Sequence, residues 1–279
     1  MELIQNNRCF EGEQRIYRFH SNALQTETQF GIFLPEQALA GQACPAVFYL
    51  AGLTCNEETF AIKAHAQHMA AQLGLILISP DTSPRGEAVA KGDHWDIGQG
   101  AGFYINATQA PWAAHYQMET FVADELYQLV RQQFPIQPQQ VGIMGHSMGG
   151  HGALTLAFKY PEKFKSVSAF APICAPTQCP WGEKAFSNYL GSDQQLWLQH
   201  DATALVQAKG ALFSEILIDQ GAKDQFYSQL NPALFQQACD TVGQKLSLRE
   251  QAGYDHGYYF IQSFIDQHLQ FHVVQLQAD

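Results

Sequence analysis

The chain has 279 residues, of which 46% are hydrophobic and 15% are charged, a balance typical of a folded globular protein. Its formal net charge of -11 argues against binding to nucleic acid or to an anionic membrane surface, since both favour clustered lysine and arginine. The N-terminal residues lack a signal-peptide pattern, and no apolar run approaches the length of a membrane span. We therefore expect a cytoplasmic protein with no nucleic-acid or membrane partner.

Strand patterns alternate with helical patterns along the chain. Two segments of alternating polar and apolar residues come first and are typical of half-buried antiparallel strands, whereas the later apolar runs are typical of strands covered on both faces. The predicted strands span residues 13–20, 28–34, 45–50, 75–79, 141–144, 166–170, 214–219 and 245–250, and helices are predicted after Asn56 and over 115–134, 152–160 and 258–271, with another starting at Asn231. This order predicts a single domain over residues 1–279, with an α/β fold whose predominantly parallel central sheet has helices on both faces.

Two long segments without a helix or strand pattern follow predicted buried strands. Residues 81–111 contain Trp95 and several glycines, and residues 171–185 contain Trp181. Long loops of this kind are frequently binding loops or lids, although such a loop can also simply pack on its own aromatic side chains. Both interpretations place aromatic residues at the carboxyl ends of the strands, where open α/β sheets bind ligands.

Cysteines and paired histidines give no sign of a disulfide framework or a metal centre. The six cysteines lack C-x-x-C spacing, and a chain of this length does not need disulfides, so we expect reduced thiols. His65 and His68 stand three residues apart on a predicted helix, but no further ligand cluster accompanies them. The sequence predicts no metal and no cofactor, and it places these two histidines at the surface.

Residues 145–149 read Gly-His-Ser-Met-Gly between a predicted buried strand and a helical segment rich in Ala and Leu. This is the G-x-S-x-G pattern of a nucleophile elbow, in which a strained turn pushes a serine hydroxyl into solvent. Glycines flank the serine at a distance of two residues because bulky neighbours would collide in such a turn. A plain glycine-containing turn is the alternative, but the strand and helix on either side favour Ser147 as a nucleophile.

A serine nucleophile needs a histidine to accept its proton and an acid to orient that histidine. In folds with a nucleophile elbow, these partners follow in the order serine, acid, histidine. Asp224, in the loop after the strand at 214–219, is the predicted acid, and Asp219 is the alternative because strand ends are hard to place. His256, which follows the last strand and lies close to two glycines, is the predicted base.

Four other histidines are given no part in the chemistry. His146 and His151 flank the serine but leave the elbow in the wrong direction to bond to it, so packing or capping is expected of them. His268 and His272 belong to the closing helix and are expected at its surface.

An acyl-transfer site also needs backbone N–H groups that bind the oxyanion of the tetrahedral intermediate. The N–H that follows the nucleophile belongs to Met148. The second donor in such folds comes from the loop after an earlier strand, and Leu53, after the strand at 45–50, is the predicted residue.

Six blocks in order resemble the S-formylglutathione hydrolase family, also called esterase D: GLTCNEETF, WDIGQGAGFY, GHSMGGHGAL, CPWGEKAF, IDQGAKDQF and YDHGYYFI. The resemblance extends over nearly the whole chain. It implies an α/β-hydrolase fold, frequently as a homodimer, and hydrolysis of S-formylglutathione to formate and glutathione, a step in formaldehyde detoxification. The family's catalytic triad falls on Ser147, Asp224 and His256, and its oxyanion donors fall on Leu53 and Met148, in agreement with the assignment from order and spacing.

The resemblance also implies a substrate pocket. Trp95 and Trp181 match positions that line a small acyl pocket, and Cys55 matches a cysteine that makes family members sensitive to thiol reagents. Cys55 can equally be a small buried filler, and we expect no part for it in the chemical step. Because glutathione carries net negative charge and the chain is acidic, local attraction must come from a nearby cation, for which the candidates are Lys63, Arg85, Lys91 and Lys184.

Three other functions compete with this one. The same triad would serve a general short-chain carboxylesterase, and related folds include acyltransferases in which a sugar or alcohol replaces water. An inactive hydrolase-like binding module would be expected to lack at least one of Ser147, Asp224 and His256, but all three are present.

Overall fold

The structure, a computed structural model, describes residues 1–278. The strands in this range are β1 (Glu2–Cys9), β2 (Gly12–Ser21), β3 (Thr26–Leu34), β4 (Cys44–Leu50), β5 (Ile76–Pro80), β6 (Ile136–His146), β7 (Ser166–Phe170), β8 (Ile216–Gly221) and β9 (Leu246–Gln251). They form one sheet in the order β1-β2-β3-β5-β4-β6-β7-β8-β9. The strands from β5 to β9 run parallel, and β1, β2 and β3 add an antiparallel edge beside β5.

The predicted α/β fold with a mainly parallel sheet is therefore confirmed, and each predicted strand has a counterpart between β2 and β9. Strand β1 was not predicted. Its sequence, ELIQNNRC, is exposed or only half-buried throughout, so it carries no apolar face from which a strand could be recognised.

Helices connect the strands and flank the sheet. They are α1 (Glu36–Leu39), α2 (Glu57–Lys63), α3 (Gln67–Leu73), α4 (Met118–Thr120), α5 (Tyr127–Gln133), α6 (Met148–Lys159), α7 (Pro180–Tyr189), α8 (Gln194–Trp197), α9 (Ala202–Lys209), α10 (Tyr227–Leu230), α11 (Pro232–Val242) and α12 (Tyr258–Gln277). A π-helical turn, Phe121–Leu126, joins α4 to α5, so the helix predicted over 115–134 is present with one wide turn. Helices α3 and α12 contact each other on one face, while α6 contacts α9, and α9 contacts α11, on the other.

The helix predicted after Asn56 is interrupted. It ends at Lys63 and resumes at Gln67, and His65 lies between the two parts with a positive φ of 58°. His65 and His68 are exposed, as predicted, but they do not share a helix. Within residues 1–278, no three His, Cys, Asp or Glu side chains are grouped as metal ligands would be.

The segment predicted as a loop over 171–185 contains the start of α7. A proline and a glycine near its start concealed the helix, but proline is favoured in the first turn of a helix, and Pro180 occupies that position. Gly182 is required there because a Cβ atom would collide with the Pro176 carbonyl group. In the described part of the chain, no helix is long and apolar enough to cross a membrane.

Candidate active site

Ser147 lies in the turn between β6 and α6 with φ 57° and ψ -119°, a conformation that L-residues rarely adopt. The two glycines of the motif are needed for contact with neighbouring backbone. A Cβ atom at Gly149 would collide with the Leu50 carbonyl group of β4, and one at Gly145 would collide with the carbonyl group of Gly149. The segment at 145–149 thus has the strand, strained turn and helix of a nucleophile elbow.

The structure brings Asp224 and His256 together. Nδ1 of His256 lies 2.6 Å from Oδ2 of Asp224, whose side chain is fully buried. Asp224 also accepts hydrogen bonds from the Gln220 side chain at 3.1 Å and from the Phe226 backbone N–H at 2.8 Å. A carboxylate with several donors around it is held in one orientation, and it in turn fixes the orientation of the histidine ring.

Backbone contacts hold the loops that carry these two residues against each other. The Ala222 N–H donates to the Gln251 carbonyl oxygen at 3.0 Å, and the Lys223 N–H donates to that of Tyr254 at 2.8 Å. A Cβ atom at Gly221 would collide with the carbonyl oxygen of Asp255, so only glycine permits this approach. The sequence IDQGAKDQF therefore includes the glycine that lets the acid loop reach the histidine loop.

The ring of His256 is enclosed on two sides. Its centroid lies 4.5 Å from that of His146 and 5.1 Å from that of Phe226. Burial, and after it the proximity of His256, lower the pKa of His146 well below its usual value, so this neighbour stays neutral. Within residues 1–278, neither Ser147 Oγ nor His256 Nε2 forms a hydrogen bond, and such bonds often form only when substrate is bound.

Asp219, the alternative acid, lies on β8 and has other partners. It accepts hydrogen bonds from Arg249 at 2.7 Å, from Gln251 at 3.0 Å and from His268 at 3.1 Å. Burial opposes its ionisation, but the bonds from His268 and Arg249 outweigh this effect and lower the pKa of Asp219 to about 2. The geometry thus favours Asp224 as the partner of His256.

A second group of serines and histidines lies beneath α12. His272 contacts Ser166 at 2.6 Å through Nδ1 and Ser168 at 2.9 Å through Nε2, and His268 joins Ser168 at 2.8 Å to Asp219. One donor arrangement satisfies every bond with both rings neutral: Ser166 donates to His272, His272 to Ser168, Ser168 to His268, and His268 to Asp219. Both histidine side chains are fully buried, so this group has no access to a substrate.

The prediction that His268 and His272 lie at the surface was therefore wrong. Helix α12 turns both rings inward, and Gly142 in β6 leaves room for that of His272, because a Cβ atom there would come within 2.7 Å of its Nδ1. A glycine inside a buried strand was the sequence signal for this packing.

Burial of His272 is expected to make stability depend on pH. Burial, followed by the proximity of His268, lowers the pKa of His272 to about 3, whereas an unfolded chain has the ordinary value of about 6.5. The unfolded state alone therefore gains a proton as the pH falls below about 6.5, and stability is lost. Between pH 6.5 and 5, this effect lowers the free energy of unfolding by about 2 kcal/mol.

Urea unfolding at both pH values tests this prediction. The free energy of unfolding should fall less in His272→Gln than in wild type, whereas the exposed control His68→Gln should behave like wild type. An equal fall in the two variants would contradict the prediction.

The loop after β4 is placed against the elbow and held there. An added Cβ atom at Gly52 would lie 3.2 Å from Cβ of Ser147, so the two segments are in direct contact. The Tyr104 hydroxyl donates to the Ala51 carbonyl oxygen at 2.9 Å, and the Thr54 N–H donates to that of Gly100 at 2.9 Å. These bonds fix both ends of the short segment that contains Leu53.

Further bonds hold the next residue of the same loop. Thr82 and Arg85 both donate to the Cys55 carbonyl oxygen, at 2.6 and 2.9 Å. Among residues 1–278, the Leu53 N–H has no hydrogen-bond acceptor, and Met148 begins α6, where N–H groups lack partners within the helix. Two backbone donors that flank the serine are therefore available to a negatively charged oxygen.

An aromatic wall extends from His256. Phe226 lies 4.7 Å from Trp181 between ring centroids, and Trp181 lies 5.9 Å from Trp95 in an edge-to-face contact. The structure thus brings together the two predicted tryptophans and adds Phe226, which sequence reasoning missed although it follows the predicted acid by two residues. Gln220 was also missed. Phenylalanine and glutamine carry no catalytic signature in the sequence, so neither residue could be recognised from its type.

Cys55 lies beside Tyr258, in the loop that contains Leu53. It is half-buried, and burial raises the pKa of its thiol, which disfavours the reactive thiolate. These features fit a packing role better than a chemical one.

The site combines a strained serine, two free backbone donors and a histidine held by a buried aspartate, all at the same edge of a parallel sheet. This is the arrangement with which α/β-hydrolases cleave esters. The class of this chain is therefore an ester hydrolase with the α/β-hydrolase fold. Comparisons with known proteins agree, since the family model Esterase matches residues 21–271. The chain belongs to the S-formylglutathione hydrolase family.

Three relatives support that membership. The S-formylglutathione hydrolases of Mus musculus and Rattus norvegicus are each 49% identical to the chain and match all of it, over 99% and 100% of their own lengths. The solved structure of an S-formylglutathione hydrolase from Agrobacterium tumefaciens is 45% identical and superposes with a TM-score of 0.96, covering 99% of this chain and 100% of that one.

Proposed function

We propose that this chain hydrolyses S-formylglutathione to formate and glutathione, with Ser147 as nucleophile, His256 as general base and acid, and Asp224 as the residue that orients His256. The observation that carries the proposal is the 2.6 Å contact between Asp224 and His256 next to the elbow serine. Full-length similarity to enzymes named for this substrate supports the choice of thioester.

The first half of the reaction forms an acyl-enzyme. Ser147 Oγ attacks the formyl carbon while Nε2 of His256 accepts the hydroxyl proton, and the carbonyl oxygen becomes an oxyanion that the N–H groups of Leu53 and Met148 bind. When the carbon–sulfur bond breaks, His256 gives the proton to the departing sulfur. Glutathione then leaves, and the formyl group remains as an ester on Ser147.

The second half repeats this chemistry with water. His256 accepts a proton from water, which attacks the formyl ester, and the same two N–H groups bind the new oxyanion. As the ester bond breaks, His256 returns the proton to Ser147 Oγ and formate is released. Asp224 stays ionised throughout and stabilises the positively charged imidazole at both steps. Neutral His146 supports this role because it places no second positive charge beside His256.

The substrate pocket follows from the side chains around His256. Phe226, Trp181 and Trp95 form a run of adjacent aromatic rings that begins at His256. We propose that the acyl group binds beside these rings and that the site favours a small group such as formyl or acetyl. Cys55, in the loop that contains Leu53, takes no part in the chemical step.

The experiment that tests the reaction measures both products. Incubation with S-formylglutathione should release formate and free thiol in equal amounts, with water as the only acyl acceptor. Thiol release without equivalent formate, in the presence of an alcohol or sugar, would instead indicate acyl transfer to that acceptor.

We further propose that the enzyme acts in the cytoplasm, as a homodimer, in formaldehyde detoxification. The six cysteines are all unpaired, which suits a reducing compartment. The homodimer is inferred from the family resemblance.

A further inference from the structure

A cavity of about 550 Å³ lies beside Tyr258, two residues after His256. It lies where α2 and the turn after it meet the start of α12, and its walls are Ile62, Lys63, His65, Tyr258, Tyr259 and Gln262. We refer to it as the Lys63 cavity.

Two rings, those of Tyr258 and His146, connect the Lys63 cavity to His256. The Lys63 ammonium lies 5.8 Å above the centre of the Tyr258 ring, and that ring lies 5.9 Å from His146, the neighbour of both Ser147 and His256. Tyr258 also lies beside Cys55, in the loop that supplies Leu53. Glutathione is held at Ser147 through its central cysteine, so its glutamyl and glycyl arms, each of which carries a carboxylate, are free to extend toward this cavity.

The candidate cations differ in whether they are already paired with a carboxylate. Lys184, beside the tryptophans, is paired with Asp96 at 2.6 Å, and Arg85 is paired with Asp81 at 2.7 Å. Within residues 1–278, Lys63 makes no ion pair with a carboxylate, and it lies on the rim of the cavity. A free cation in an acidic protein is the feature that would attract a small anionic ligand locally.

Lys91 is the other unpaired candidate. It lies exposed on the long loop that contains Trp95, and it is not among the residues that line the Lys63 cavity. Lys63 is therefore the unpaired cation that lines a cavity and also contacts Tyr258, whose ring packs against His146 beside His256.

We propose that the Lys63 cavity binds the glutathione part of the substrate, with the Lys63 ammonium paired to one of its carboxylates. This assignment rests on the proposed function. It places the leaving group toward Tyr258 and the formyl group toward Trp181.

The test uses S-methylglutathione, which cannot be hydrolysed, as an inhibitor of p-nitrophenyl acetate hydrolysis. Loss of one exposed ion pair should raise the inhibition constant about fivefold in Lys63→Ala. Lys63→Glu should raise it further, because repulsion replaces attraction. Lys209→Ala removes the same charge from an exposed lysine on α9, and its inhibition constant should equal that of wild type.

Two results would overturn the assignment. An inhibition constant unchanged in Lys63→Glu would exclude the Lys63 cavity, and a rise in Lys91→Ala instead would move the binding site to the loop at 81–111. Turnover of S-formylglutathione by the wild-type enzyme is measured on the same preparation. If that turnover is absent, the proposed function fails; if it is present while Lys63 has no effect, only the assignment of the cavity fails.

Discussion

Ser147→Ala is expected to lower kcat by at least about a thousandfold, because no other group can form the acyl-enzyme. His256→Ala should lower kcat by about the same factor. The double variant should be no slower than either single variant, since the two side chains act as one unit. Single-turnover assays with S-formylglutathione and p-nitrophenyl acetate measure this loss. Circular dichroism and urea unfolding should show that both variants retain the wild-type fold.

Ser166→Ala is the matched control for this prediction. Ser166 also contacts a histidine, at 2.6 Å, but both side chains are buried beneath α12. Its removal should lower stability and leave kcat close to that of wild type. An active Ser147→Ala protein together with an inactive Ser166→Ala protein would overturn the assignment of the nucleophile.

Asp224→Asn is expected to lower kcat by about ten thousandfold with little change in structure. A carboxylate accepts the proton of His256 Nδ1 and leaves Nε2 free to act as a base. The asparagine amide can donate instead, which favours the tautomer with its proton on Nε2, and that tautomer cannot accept a proton from Ser147. Steady-state kinetics with p-nitrophenyl acetate across pH 6 to 9 would measure the effect.

Asp219→Asn provides the contrasting variant. Asp219 is bonded to Arg249, Gln251 and His268, and not to His256. Its replacement should lower the free energy of unfolding, because a buried ion pair is broken. It should lower kcat far less than Asp224→Asn does. If Asp219→Asn were the more damaging of the two for kcat, the acid would have to be reassigned.

The sequence was most informative where local chemistry leaves few alternatives. A serine between two glycines after an apolar strand can be recognised because the turn itself excludes other residues, as the collisions at Gly145 and Gly149 illustrate. The order of acid and histidine along the chain then restricts the partners of Ser147, and the structure brings two of the predicted residues into contact. Buried strands were recognised for the same kind of reason, since a strand covered on both faces must be apolar throughout.

Features set by tertiary contacts could not be predicted in this way. Strand β1 has no apolar face, and the rings of His268 and His272 are buried only because serines from β7 and a glycine from β6 meet them. Gln220 binds Asp224 through a geometry that no spacing rule describes. The choice of Lys63 among four cations likewise required knowledge of which cations are already paired and of which one lines a cavity.

The central claim is tested most directly by kcat/KM for S-formylglutathione and for p-nitrophenyl acetate on one preparation, with Ser147→Ala as the background. The account predicts that the thioester is preferred by several orders of magnitude, because the binding energy of the glutathione part is available to the transition state only with that substrate. Comparable values, or a preference for p-nitrophenyl acetate, would contradict it and identify the chain as a general short-chain carboxylesterase.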